Sequence, residues 1–281
     1  MEQAKFWYGA DPEAFIFDED GKAVPSWKYF PDKYNKVSVW SSDDRIKVFH
    51  DGAAVEFNGP ASDSIEGLTT WMRKALIGTQ VYLPERYTIR RTPTITIDKD
   101  FMKEAPPDCM VFGCDPAWNA WEGKMSAVEI DATTHPERYA GGHMHMSVSV
   151  DSKDTTAGWM FDQEACLEAI KHLDLWLGLP LTVISASPET FQRRKYYGKA
   201  GEFRFQDYNG EFRGLEYRVP GPEVWASTET ATRAFKAMHH ILNNFKEARK
   251  SWDTRAEEDI RNAIDTGEGA AKLLQHFPVP A

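Results

Sequence analysis

No stretch of this 281-residue sequence approaches the roughly 18 to 20 consecutive apolar residues that cross a bilayer. The first residues, Met1 to Gly9, lack the basic-then-apolar layout of a signal peptide, which gives the expectation of a cytoplasmic protein. Basic charge is scarce too, since 33 Lys and Arg against 43 Asp and Glu leave a net charge of -10. A field of that sign repels nucleic acid and anionic lipid, so neither is expected as a partner. Cys109, Cys114 and Cys166 cannot all pair and form no Cys-x-x-Cys zinc arrangement, so they read as buried or incidental thiols. A Gly-x4-Gly-Lys-Ser/Thr phosphate loop is absent, and Gly267-Glu268-Gly269 lacks both the third glycine and the preceding strand of a dinucleotide fingerprint. Repeats, low-complexity tracts and a clear linker are missing as well.

What the chain does have is aromatic and patterned. Ten Trp, ten Tyr and sixteen Phe supply a substantial core and rings for a ligand cleft, Trp118 and Trp121 among them. The first sixty residues read as strands and turns, with Asp18 to Gly21 and Asp51-Gly52 as turn chemistry. Asp63 to Glu66 has capping-box spacing, and Leu68, Met72, Ala75 and Leu76 follow at helical spacing, predicting a helix over about 64–77. Strand patterns return at 87–98, 127–133 and 143–150, with an ordered loop over 105–123. A helix is expected from Asp162 as N-cap to Gly178, ahead of Pro180. Two strands with a turn at Tyr208-Asn209-Gly210 occupy 197–222. Ala231, Phe235, Met238, Leu242 and Phe245 then form one apolar helical stripe, and Thr254-x-x-Glu257 opens a last helix that stops near Gly267. The predicted class is α+β, a mainly antiparallel sheet with packed helices. Residues 1–227 would form the main domain, and 228–281 a helical extension packed on it.

One pattern recurs along the chain: polar, ligand-type side chains two residues apart on apolar-framed strands. They are Asp11-Pro12-Glu13, Glu56-Phe57-Asn58, His143-Met144-His145-Met146-Ser147, Glu202-Phe203-Arg204 and Glu216-Tyr217-Arg218. Alternate strand residues share a face and lie roughly 6.6 Å apart, so each pair turns two polar groups to one side. Pro12, having no N–H, is expected at a strand edge, a bulge or a strand start. Carboxylates this numerous on one face would repel one another unless cations lay between them, and oxygen-rich surroundings favour Mg2+ or Mn2+ over Zn2+. Arg193-Arg194-Lys195, with Lys199 close behind, makes a cationic stretch suited to phosphate. Each feature has an ordinary alternative: cross-strand ion pairs, solvated strand ends, a solvated charge run, or histidines without a ligand.

Taken in order, Asp11-x-Glu13, Glu56, Gly-Gly-His143-Met-His145-Met-Ser147, Arg193-Arg-Lys-Tyr-Tyr-Gly-Lys-Ala-Gly201-Glu-Phe-Arg204 and Glu216-Tyr-Arg218-Val-Pro are similar to the carboxylate-amine ligases of the glutamine synthetase and glutamate-cysteine ligase superfamily. The sequence most resembles their phage-encoded COOH-NH2 ligase type 2 group, over about residues 8 to 222. The resemblance implies a curved sheet of the glutamine synthetase catalytic type whose concave face binds ATP and an acceptor. It implies that Glu13 and Glu56 hold one Mg2+ or Mn2+, and that Asp11, His143 and Glu216 hold another. His145 and Ser147, with Lys195 and Lys199, would lie near the nucleotide, and Arg193 or Arg194, with Arg204 and Arg218, would meet the transferred phosphate. Asp11 departs from the Glu usual in the synthetases, and the helices after Thr228 have no counterpart in them.

The expected activity is ATP-dependent amide formation through an acyl phosphate, between small-molecule or peptide carboxylates and amines. Such chemistry needs charge stabilisation rather than a nucleophilic triad, and no Ser-His-Asp set is apparent. The rivals are a hydrolase with His143 and His145 as zinc ligands, and a catalytically silent nucleotide-binding protein. A phage-encoded enzyme would work in the host cytoplasm. The sequence leaves substrates, metal count and oligomeric state open.

Overall fold

The first strand sets the frame. β1 spans Phe6–Phe17, twelve residues, and the computed structural model describes residues 4–98, 100–110, 117–126, 130–207, 212–248 and 256–276. There follow β2 (Ala23–Val24), β3 (Val37–Ser38), β4 (Lys47–Asp51), β5 (Ala54–Asn58), helix α1 (Ile65–Tyr82), β6 (Thr88–Arg90), β7 (Thr94–Thr96), β8 (Ala117–Asn119), β9 (Lys124–Ser126), β10 (Glu137–Tyr139) and β11 (Gly142–Ser149). The helices α2 (Gln163–Leu173), α3 (Leu179–Ile184) and α4 (Pro188–Arg194) come next, then β12 (Glu202–Asp207) and β13 (Phe212–Tyr217). Four helices close the described chain: α5 (Thr228–Asn243), α6 (Phe245–Ala248), α7 (Glu257–Thr266) and α8 (Ala270–His276). The class is α+β, as the sequence patterns imply.

The large sheet is antiparallel in the order β3-β4-β5-β1-β11-β13-β12-β8-β9, with β2 and β6 also on β1, while β7 and β10 pair separately. β1 changes partners midway. Phe6 to Pro12 pair with β11, and Glu13 and Ala14 pair with β5. Pro12 therefore sits inside a central strand, not at the edge or start expected of it. Glu13 N–H donates to Gly141 O on the β11 side at 3.1 Å, so the nitrogen of Pro12 faces the other side, where the β5 ladder begins only at Glu13.

Alternation divides the sheet chemically. Phe6, Tyr8, Ala10, Met144, Met146, Val148, Phe203, Leu215 and Tyr217 are buried on one face, where they join one apolar cluster with residues of α1, α2, α5, α7 and α8. The stripe expected after Thr228, Ala231 to Phe245, is buried there throughout. Phe235 of α5 lies 5.5 Å from the ring of Trp225 and edge-on to Tyr8 of β1 at 6.2 Å, so it bridges helix and sheet.

Several boundaries move from their predicted places. α1 is capped by Ser64, which accepts from Gly67 N–H, and not by Asp63, and it continues to Tyr82, just before Leu83-Pro84. Asp162 does cap α2, accepting from Glu164 and Ala165. The helical path does not stop at Gly178: it runs through a π turn, Asp174–Gly178, into α3, with Pro180 in the first turn of α3. That turn buries Asp174, which accepts from Tyr217 Oη at 2.7 Å and Trp121 Nε1 at 2.6 Å. The span 87–98 forms two short strands, β6 and β7, rather than one. The turn expected at 208–210, Cys114 and Thr254 lie outside the described residues, as do 127–129 of the strand expected at 127–133, while 130–133 form no strand and run into a turn.

Removing the Phe235 ring should cost about 3–5 kcal/mol, the range for aromatic truncation in a core. Urea unfolding of Phe235→Ala should show this loss in a single transition, and a loss below about 1 kcal/mol would deny α5 a share in the common core.

Candidate active site

The second face of the sheet carries the polar groups, and strand register brings them together. His143 lies opposite Asp11, and Gly9 lies opposite His145. Glu216 is the cross-strand neighbour of both His145 and Arg204. Glu13 pairs with Glu56, and Asp51, at the end of β4, shares the face of Glu56 because Phe49 is that residue's partner. Segments from residue 11 to residue 218 thus meet on one surface.

A first set of ligand-type atoms comes from Asp11, His145 and Glu216, all within 4.8 Å of one another. His145 Nε2, a buried nitrogen, stands 2.8 Å from Asp11 Oδ2. Burial alone would raise Asp11 and lower His145, but their mutual attraction wins, holding Asp11 below the usual carboxylate range and His145 above the usual imidazole range. Gly9 keeps the groove beside His145 open, since even a Cβ there would stand only 3.3 Å from His145 Cβ.

His143, expected in this set, does something else. Its Nδ1 lies 3.3 Å from Glu216 Oε1 and its Nε2 meets the Tyr197 hydroxyl, so it braces the carboxylate from the side. Burial, with the charges of Arg218 and Arg193, holds it well below the usual imidazole range, and hence neutral. It is the donor atom of His145, not of His143, that lies within 4.8 Å of those of Asp11 and Glu216.

The second set is Glu13, Asp51 and Glu56, again within 4.8 Å. Burial, then the charge of Asp51, pushes Glu13 up to about 8, against a hydrogen bond from Gly141 N–H at 2.6 Å. Glu56 is raised well above the usual range by burial and by Asp11, Asp51 and Glu13. Asp51 is raised by burial, against the pull of Lys33. Asp51 was missed in the sequence because Asp-Gly reads as a hairpin turn. The turn is real, with Gly52 at φ 52°, but Asp51 is also the last residue of β4.

Glu216 ties the sets to the arginines. Its Oε1 accepts from buried Arg218, Arg204 Nη1 lies 3.8 Å from the same oxygen, and Gln206 Nε2 donates to Oε2 at 2.7 Å. Arg204 is 25% exposed, so its guanidinium borders the groove.

Two other arginines do not reach this face as expected. Arg193 commits both terminal nitrogens to the carbonyls of Arg218, Val219 and Pro220, clamping the segment after β13. Arg194 donates to Thr182 Oγ1 and the Ile264 carbonyl among the helices. Successive helical residues point about 100° apart, so α4 cannot turn both to the groove. Lys195 is exposed and bonded to Gln192 Oε1 at 2.6 Å, Lys199 is half-buried, and Ser147 is buried opposite Trp7 and Gly214. Tyr197, whose ring lies beneath Arg193 and Arg218 at 4.6 and 5.1 Å, had no motif to mark it.

No curated protein sequence matches the chain. Among solved structures it is similar to a bifunctional glutathione synthetase from Pasteurella multocida, at 13% identity and a TM-score of 0.55 over 93% of this chain and 40% of that one. The chain thus spans well under half the length of that protein, and the likeness is one of fold. The model of the phage phiEco32-like COOH.NH2 ligase-type 2 family matches residues 125–273, more than half of the chain. That segment contains the histidine strand, the α4 arginines and the Glu216 strand, and the protein belongs to this family.

Proposed function

We propose that this protein is an ATP-dependent carboxylate-amine ligase that activates an acid as its acyl phosphate and transfers the acyl group to an amine, on a sheet of the glutamine synthetase catalytic type. The observation that carries the reading is the pairing of two ligand sets, Asp11/His145/Glu216 and Glu13/Asp51/Glu56, on one sheet face edged by Arg204. Membership of the family supports the ligase class. The glutathione synthetase relative supports only the fold, and its substrates are not transferred to this chain.

The donor sets fit divalent cations. Asp51 raises the proton affinity of Glu13, and both raise that of Glu56, so the set is short of positive charge, and a set made of oxygen atoms suits Mg2+ or Mn2+. In the other set, the buried His145 Nε2 stands beside Asp11 and adds a nitrogen to its two carboxylates. When bound, such ions neutralise phosphate oxygens and order the nucleotide. The residues supply the rest. Arg204, at the border of the groove, would hold the transferred phosphoryl group, and Arg218, fixed on Glu216 and over Tyr197, keeps that carboxylate aimed. Neutral His143 holds Glu216 without adding charge. No side chain needs to act as a nucleophile.

The raised carboxylates give a pH signature. A carboxylate with higher proton affinity in the folded state adds stability below its unfolded value of 4.5, and that stability is lost as pH rises through about 8. Without divalent ions the unfolding temperature should therefore fall between those pH values, and Glu13→Gln should flatten the fall. Mg2+ should raise the temperature most at the alkaline end, where it replaces the proton. A profile that is the same in the wild type and Glu13→Gln would remove the crowded-carboxylate account.

Activity is tested by acceptor-dependent phosphate release from ATP with Mg2+ and a panel of amino acids, polyamines and peptides. His145→Ala and Glu216→Ala should lower kcat by about 100-fold or more, whereas Lys195→Ala should stay within about threefold. Failure of every acid and amine to stimulate release, or full turnover in both site variants, would overturn the assignment. Arg194→Met should retain kcat and lose stability, because its hydrogen bonds hold helices together and not substrate.

A further inference from the structure

On the opposite side of β4 from Asp51 lies a group that the ligase chemistry does not use. His50 precedes Asp51 and so points to the other face, where Asp108 and Cys109 meet it from a single 3-10 turn, Pro107–Met110. The imidazole, carboxylate and thiol donor atoms all lie within 4.8 Å of one another. Zinc bonds of about 2.0–2.3 Å require ligand atoms roughly 3.2–3.8 Å apart, a spacing small side-chain rotations would reach.

The hydrogen bonding of His50 points to a cation. Nδ1 stands 2.9 Å from the Phe30 carbonyl, and Nε2 stands 2.9 Å from Asp108 Oδ2. Both partners only accept, and a neutral imidazole has one N–H. If that hydrogen goes to Phe30, the lone pair of Nε2 faces a carboxylate, and the pair is satisfied only when positive charge lies between them. A histidine whose other nitrogen donates to a backbone carbonyl is the usual arrangement of a metal ligand.

We propose that His50, Asp108 and Cys109 bind a zinc ion that clamps the 107–110 turn to the β4-β5 hairpin. One thiolate, one carboxylate and a neutral imidazole balance the two charges of Zn2+. The sulfur and nitrogen donors select it over Mg2+, which the all-oxygen set across the strand prefers. Cys109 is 3% exposed, and burial with the charges of Asp108 and Asp51 pushes its thiol up to about 12, so it becomes a thiolate only when a metal displaces the proton. The Asp108 side chain is 52% exposed, which leaves a fourth position open to water and a route of entry. The site is independent of the ligase reading. It would fix the hairpin whose first strand ends at Asp51, a member of the carboxylate set.

The test uses the full chain purified without chelator and dialysed against Mg2+ buffer. The wild type should retain one equivalent of zinc by elemental analysis, and its cobalt-substituted form should show a thiolate-to-cobalt charge-transfer band in the near ultraviolet. Cys109→Ser should lose both, whereas His145→Ala, on the other face, should keep both. Wild-type protein with no zinc and no such band, or Cys109→Ser with both, would overturn the proposal. If Cys109→Ser does not fold, the half-exposed Asp108→Asn serves, and should weaken zinc about 10-fold or more; unchanged affinity would equally overturn it.

Discussion

Carboxylates crowded on one buried sheet face are the constraint around which the rest of this molecule is arranged. Asp11, Glu13, Asp51, Glu56 and Glu216 would repel one another in any medium of low dielectric, and each neighbour can be understood as an answer to that repulsion. Arg218 and Arg204 answer it at Glu216, His145 answers it at Asp11, and at Glu13, where burial and Asp51 outweigh the pull of Arg218 and Arg193, a raised proton affinity answers it. The raised proton affinity of the second set is the sign of positive charge left for something else to supply.

Holding such groups close requires a rigid back. The apolar face of the same strands provides it, with Met144, Met146, Leu215 and Tyr217 packed under the helices. Even there a polar brace intervenes. Tyr217 lies between Glu216 and Arg218 in sequence but points the other way, to Asp174 in the π turn, which also takes Trp121. Burial pushes Asp174 up to about 7. Arg193 completes the frame by gathering three successive carbonyls after β13, so the backbone that presents Arg218 is held by hydrogen bonds on both sides.

Much of this was legible in the sequence, and for a definite reason. Period-two alternation of apolar and ligand-type residues fixes which face each side chain takes, so Asp11, Glu13, Glu56, Glu216 and the His143/His145 strand could be named from spacing together with a family resemblance. Neighbour relations between strands are not local, and there the reading failed. His143 and His145 are equivalent by alternation, and only the register with β1 and β13 shows which joins the ligand set. Arg193 and Arg194 look like a phosphate-binding run until their partners, residues 182, 218 to 220 and 264, are known. Asp51 and His50 were hidden by a turn signal, and His50 meets Asp108 across 58 positions.

The partner change in β1 has a consequence for how the two ligand sets are spaced. Asp11 belongs to one and Glu13 to the other, and only Pro12 stands between them. Their offset is thus dictated by the covalent rise of a strand, roughly 6.6 Å, and not by packing or by loops that could drift. The chain carries a built-in ruler. Insertions in the surrounding turns leave its graduation untouched, whereas one residue gained or lost at position 12 would swing Glu13 to the greasy side of the sheet and erase one of the two marks.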